Sequence, residues 1–111
     1  METQNGKYNL EERTLKFAKD TRDYLRTINK DSISYEYIKQ LTRSSSSIGA
    51  NYIEANECLS KKDFVMRVKI CRKETKESIY WLKLLECHDE KLINEATELM
   101  KIFGAIIEKC K

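Results

Sequence analysis

Proline is absent, and glycine occurs only at Gly6, Gly49 and Gly104. So little of either leaves few places for kinks or left-handed turns, which disfavours folds built from many short strands. Histidine occurs once, as His88, and the four cysteines, Cys58, Cys71, Cys87 and Cys110, form no CxxC pair. No His/Cys set has metal-ligand spacing, so the cysteines read as reduced thiols filling space, and no metal or other cofactor is expected. The opening stretch METQNGKYNLEERT lacks the apolar run of a signal peptide. No segment approaches the ~20 apolar residues of a membrane span, so a cytoplasmic protein with no membrane contact is expected.

What the chain does have is charge, 35% of its 111 residues, with a net +3. That length supports one domain, residues 1–111, with one core. The mildly basic balance permits contact with nucleic acid without requiring it.

Apolar or small residues recur at three- and four-residue steps in four segments, the signature of amphipathic helices. The first, capped by Asn9, carries Leu10, Thr14, Phe17, Thr21, Leu25 (or Tyr24) and Ile28. The second, capped by Ser34, carries Ile38, Leu41, Ser45, Ile48, Tyr52, Ala55 and Leu59. The third follows a capping-box-like pair, Ser60 and Asp63, with Phe64, Val68, Cys71, Thr75, Ser78, Leu82 and Leu85. The fourth carries Leu92, Ala96, Leu99, Phe103, Ile106 and Cys110. The spacing predicts helices over about 9–28, 35–57, 61–87 and 90–110. Short connections make such helices antiparallel neighbours, so the expected fold is an all-α, up-down-up-down four-helix bundle shaped as a rod. Further apolar residues flank the third seam (Val65, Ile79, Trp81) and the fourth (Ile93, Met100, Ile102, Ile107). They read equally as the edges of a wide core stripe or as a subunit interface.

The second helix contains RSSSSIGANYIEAN, residues 43–56. Its serines, Gly49 and Asn51 cost roughly 3–4 kcal/mol of helix propensity relative to alanine. Packing must offset that loss, and small side chains let a neighbouring helix approach closely, while serine hydroxyls can bond back one turn. Positions 43, 47, 51 and 54 share one face, as do 70, 74, 77 and 81. A structural polar network is expected in which Arg43 or Asn51 satisfies Glu74 and Glu77, with Ser47 and Glu54 alongside. The same carboxylates could in principle act as an acid–base pair. No phosphate loop, nucleophile elbow or Cys/His pairing supports that, and a di-iron bundle would need more histidines, so no enzyme is expected.

These blocks, LTRSSSSIGANYIEAN, SKKDF and KICRKETKESIYWLKLL, resemble the four-helix-bundle family of proteins encoded by intervening sequences of 23S rRNA genes. Arg43, Ser44, Ser47, Ile48, Gly49, Asn51, Glu54, Ala55, Ser60, Asp63, Phe64, Lys69, Glu74, Glu77, Trp81 and Leu82 stand where that family's motif has them. Cys71, Arg72 and Thr75 depart from the small or apolar residues expected there, which points to a more polar third helix. A proline often expected before the second helix is absent. The resemblance implies an antiparallel bundle assembled as a ring-like homopentamer, without known catalytic activity. A related branch, the accessory proteins of diversity-generating retroelements, implies a basic barrel that partners a reverse transcriptase and nucleic acid.

Two basic stripes fit such a role. One comprises Lys16, Lys19, Arg22, Arg26 and Lys30, the other Lys62, Lys69, Arg72, Lys73 and Lys76. Phosphate contact by either, repeated around a ring, would bind structured RNA in a salt-dependent way. The alternatives are a solvated face balanced by Glu11, Glu12, Asp20 and Asp23, or a scaffold whose partner is another protein, such as a nucleic-acid-associated one. Tyr35, Tyr37, Tyr52 and Tyr80 are scattered and form no evident stacking platform in the sequence.

Overall fold

The computed structural model describes residues 6–111, with side chains from Leu10 onward. The chain is all-α: helices α1 (Gly6–Leu25), α2 (Ser32–Asn56), α3 (Lys61–Leu84) and α4 (Glu90–Lys109), with no strand among the described residues. They form a bundle in which each helix packs on two neighbours, α1 and α3 lying diagonally across the core. The molecule measures 44 × 27 × 20 Å.

The counted seams supply the core. Phe17, Ile48, Val68, Leu82, Leu99 and Phe103 are almost wholly buried. The rings of Tyr52 and Phe103 meet across the other diagonal with centroids 6.1 Å apart. Three positions differ from the periodic expectation. Leu59 lies beyond the end of α2 and is fully exposed. Ile107 joins the core, whereas Ile106 is only partly buried against it. A strict alternation of steps drifts off the true helical repeat by the last turn, which exchanges these neighbours. Arg72 is exposed, whereas Cys71 and Thr75 are buried, so two of the three departures do make α3's core more polar.

The helix ends are set by side chains acting on free N–H groups. Asp31, rather than Ser34, caps α2 by accepting from the Ser34 N–H at 2.8 Å. An ionised carboxylate opposes the partial positive charge of the helix start better than a hydroxyl. The Ser60 hydroxyl accepts from the Asp63 N–H, and Asp89 accepts from the Leu92 N–H. Asn9 lies inside α1 and not at its cap, because the helix begins at Gly6. α3 ends in a left-handed residue, Glu86 (φ 57°), with Cys87 N–H donating to Leu82 O and Glu86 N–H to Lys83 O. That is a Schellman closure made without glycine.

At Gly49, α2 comes close against α1. A Cβ there would lie 2.9 Å from Thr14 Oγ1 and 3.2 Å from Thr14 Cβ. Thr14 is itself buried, its hydroxyl donating to Leu10 O at 2.9 Å. Gly49 thus answers part of the propensity question: its missing side chain is the space that α1 occupies.

Candidate functional sites

The seam between α2 and α3 holds most of the expected polar network. Arg43 forks over two carboxylates, Nη1 donating to Glu74 Oε1 at 3.2 Å and Nη2 to Glu77 Oε1 at 3.1 Å. Glu74 is only 5% exposed and receives a second cation, Lys73, at 3.5 Å on Oε2. A carboxylate so withdrawn from water needs such partners to stay charged. Asn51 takes a different role: its amide donates to Ser47 O, and its Oδ1 accepts from Arg67 Nη1 at 3.0 Å. Arg67 lies one heptad before Glu74, so the stripe 70–74–77–81 extended one turn toward the N-terminus contains its signal.

Two of the expected members sit apart from this network. Glu54 is exposed, and among the described residues its carboxylate pairs with no cation. The Ser47 hydroxyl is buried without a hydrogen-bond partner, as is the Trp81 indole N–H. The serines around Ser47 are satisfied, Ser44 and Ser78 across the seam and Ser46 within its own helix on the α1 side. Ser44 and Ser78 hydroxyls share a hydrogen bond at 2.8 Å, and Ser78 Oγ donates to Glu74 O at 2.9 Å. Ser46 bonds back to Thr42 O, and the Cys71 thiol points at Ile48 O at 3.4 Å. Burial pushes the Cys71 thiol up to about 12, which leaves it protonated and unreactive at neutral pH.

The two basic stripes lie on different sides of the molecule, since α1 and α3 are diagonal across the core. In the first stripe three of the five cations are matched locally, while among the described residues Lys19 and Lys30 pair with no carboxylate. Lys16 pairs with Asp20 at 2.7 Å, while Arg22 and Arg26 both reach Asp23, at 3.1 and 3.9 Å. Lys19, Arg22, Arg26 and Lys30 rim a groove of about 490 Å³ between α1 and α2, with Leu15, Ala18 and Leu25 among its apolar lining. Toward the other end the groove continues over Leu15, Ala18, Ala50 and Ile53 to Glu11 and Glu12.

On α3 the pattern is different. Among the described residues Lys62, Lys69, Arg72 and Lys76 pair with no carboxylate, and only Lys73 does, with Glu74. Lys62, Met66, Lys69, Lys73, Lys76 and Tyr80 follow one another by alternating four- and three-residue steps, which places them on one outward face. Two shallow grooves of about 640 and 420 Å³ lie on this face and share Lys69 and Lys73. They are therefore one continuous trough. Tyr80, 58% exposed, lies at one end of it. Of the other tyrosines, Tyr52 is core, Tyr37 is half-buried and stacked on Trp81, and Tyr35 is exposed with Lys39 over its ring.

A third groove, of about 430 Å³, opens between α1 and α4 beside Tyr24, lined by Asp20, Asp23, Asp89 and Glu95. Among the described residues, no group of three or more His, Cys, Asp or Glu could hold a metal ion. Among the described residues no helix is long and apolar enough to cross a membrane.

Comparison with known proteins adds two findings. A family model described as 23S rRNA-intervening sequence protein matches residues 7–109. A crystal structure of a protein with unknown function from the S23 ribosomal protein family of Bacteroides thetaiotaomicron superposes with a TM-score of 0.81. It is 30% identical in sequence, over 92% of this chain and 97% of that one. No curated protein matches the chain.

Proposed function

Since the chain belongs to the 23S rRNA-intervening sequence protein family, we propose that it acts as a non-catalytic, oligomeric helical module that binds nucleic acid, structured RNA included, through its α3 face. The observation that carries this reading is the unequal matching of the two basic stripes. Three of the five cations in the α1 stripe spend their charge on Asp20 and Asp23, leaving Lys19 and Lys30, whereas among the described residues four of the five α3 cations have no carboxylate partner. Unmatched cations on one face are the electrostatic footprint of a polyanion site. The non-catalytic part is supported by Arg43, which engages both Glu74 and Glu77 and leaves neither as a free acid or base.

The bundle we propose is antiparallel, up-down-up-down. Contacts between α2 and α3 support this, since they step in opposite senses: Ser44 with Ser78, Ile48 with Cys71, Asn51 with Arg67. The α1–α2 pairs Glu11–Asn56 and Thr14–Gly49 step the same way. The proposed assembly is the homopentamer that the family resemblance implies. Exposed Leu15 and Ile53 in the α1/α2 groove supply apolar surface for a subunit contact. The same groove favours a second reading, a scaffold for a partner protein without direct nucleic-acid contact.

The test is RNA-hairpin binding across a salt series. Affinity should fall steeply with salt. Lys69→Glu with Lys76→Glu should abolish it, while Lys19→Glu with Arg22→Glu leaves most of it. No measurable affinity at low salt would overturn the nucleic-acid reading in favour of the scaffold. Light scattering should find a particle of five chains, and a stable monomer would overturn the assembly.

A further inference from the structure

The α3 trough combines three kinds of surface that a polyanion site alone does not need. Lys62, Lys69, Lys73 and Lys76 punctuate one outward line over about 21 Å of helix at 1.5 Å per residue. Between them the floor is apolar, with Val65, Met66 and Ile70. At the end stands Tyr80, whose ring is braced edge-on against Trp81, centroids 5.2 Å apart at 73°. Trp81 is in turn stacked on Tyr37 at 6.1 Å and 25°. Tyr80 is thus held from one side and open on the rest.

We propose that this trough binds single-stranded nucleic acid, its phosphates following the lysines and an unpaired base stacking on Tyr80. The proposal rests on the nucleic-acid reading above and narrows its substrate class. Duplex bases are stacked on one another and present only edges, so an exposed aromatic face and an apolar floor gain nothing from a duplex. Unpaired bases have free faces that stack on aromatic side chains regardless of sequence. Cations in an aromatic- and apolar-lined groove are the arrangement such strands use. A partner recognised by charge alone, such as an acidic peptide, would also leave Tyr80 idle.

Fluorescence anisotropy of the full chain with labelled oligouridylate, an RNA duplex of equal length and polyglutamate tests this directly. The single strand should bind at least tenfold more tightly than either competitor. Tyr80→Ala should weaken it about tenfold and Tyr80→Phe should not, because stacking needs the ring and not the hydroxyl. Lys69→Gln and Lys76→Gln should each lower the salt slope by about 0.7. Circular dichroism of Tyr80→Ala should match the parent, since the side chain lies outside the core. Equal binding of strand and duplex, with Tyr80→Ala neutral, would overturn the single-strand inference while sparing the basic-face reading. Polyglutamate binding as tight as the strand would also overturn it. Absence of binding to strand and duplex alike would overturn both.

Discussion

Where α2 meets α3, the side chains between them include Ser44, Ile48, Cys71 and Ser78, and the two helices share the most extensive contact in the molecule. Where α1 meets α4 the contact is the least extensive, and an open groove lies beside Tyr24. The first seam is joined by Arg43 across Glu74 and Glu77, the second by Arg13 across Glu95, with Nε and Nη2 donating at 3.0 and 2.7 Å. Each is closed by one arginine fork, so the fork does not set how near the helices come. Side-chain size does, and the cost of small polar residues between the helices is reduced where their hydroxyls are satisfied by Glu74 O, Cys71 O or one another, Ser47 being the exception. The serine run that looks unfavourable in a helix is therefore favourable in a pair of helices.

The largest way to break this comparison is to enlarge a seam residue. Ser78→Leu would force a branched side chain into a fully buried site and leave the Ser44 hydroxyl only its long bond to Leu41 O; the expected loss is about 3 kcal/mol. Thr27→Leu, on the wall of the α1/α4 groove, should change stability by no more than about 0.5 kcal/mol. Urea midpoints at one fixed protein concentration measure both, since oligomerisation would otherwise shift them. Comparable losses would mean that the α2/α3 seam has slack, against its observed closeness.

Next come the two forks. Arg43→Met leaves Glu74, nearly buried, with only Lys73 at 3.5 Å, and should cost about 2 kcal/mol. Arg13→Met separates a pair whose side chains are each about a third exposed, 31% and 32%, and solvent screening reduces the expected cost to about 0.5–1 kcal/mol. Removing Glu74 together with Arg43, as Glu74→Gln/Arg43→Met, should restore part of the loss. A double mutant as damaged as the single one would show that Arg43 acts by packing rather than by charge.

The bundle and most of its core are legible because burial repeats with the helix: Phe17, Ile48, Val68, Leu82, Leu99 and Phe103 fall on counted positions. What periodicity does not hold is choice of partner. Arg43 with Glu74 and Glu77 follows from facing stripes, but Asn51 turning to Arg67, and Glu54 facing solvent, depend on helix rotation and offset. Cap selection fails for a similar reason. Asp31 and Ser34 are both good caps three residues apart, and the helix takes the earlier. The left-handed Glu86 carries no glycine signal at all. The two basic stripes look alike as sequences, and only the distances from Lys16, Arg22 and Arg26 to their carboxylates separate a partly neutralised face from an open one.

The smallest effect concerns how wet the α1/α4 seam is. Burial, chiefly, with a hydrogen bond to Cys87 and the nearby negative charge of Cys87 and Asp89, pushes the Tyr24 phenol up to about 12. In the unfolded chain it ionises near 10. Below pH 10 the phenol is protonated in both states, and its contribution to stability is fully present. Between pH 10 and 12 the unfolded chain loses the proton while the folded one keeps it, so stability falls across that window. The ring borders an open groove, and solvent reduces the expected loss to about 1 kcal/mol. Tyr24→Phe should remove this part of the alkaline slope and leave stability below pH 10 nearly unchanged, with urea midpoints measured from pH 9 to 12. If parent and variant decline in parallel, the phenol ionises as freely folded as unfolded. The α1/α4 seam would then be open to water down to Tyr24, which would make its contrast with the close α2/α3 seam larger than the static structure indicates.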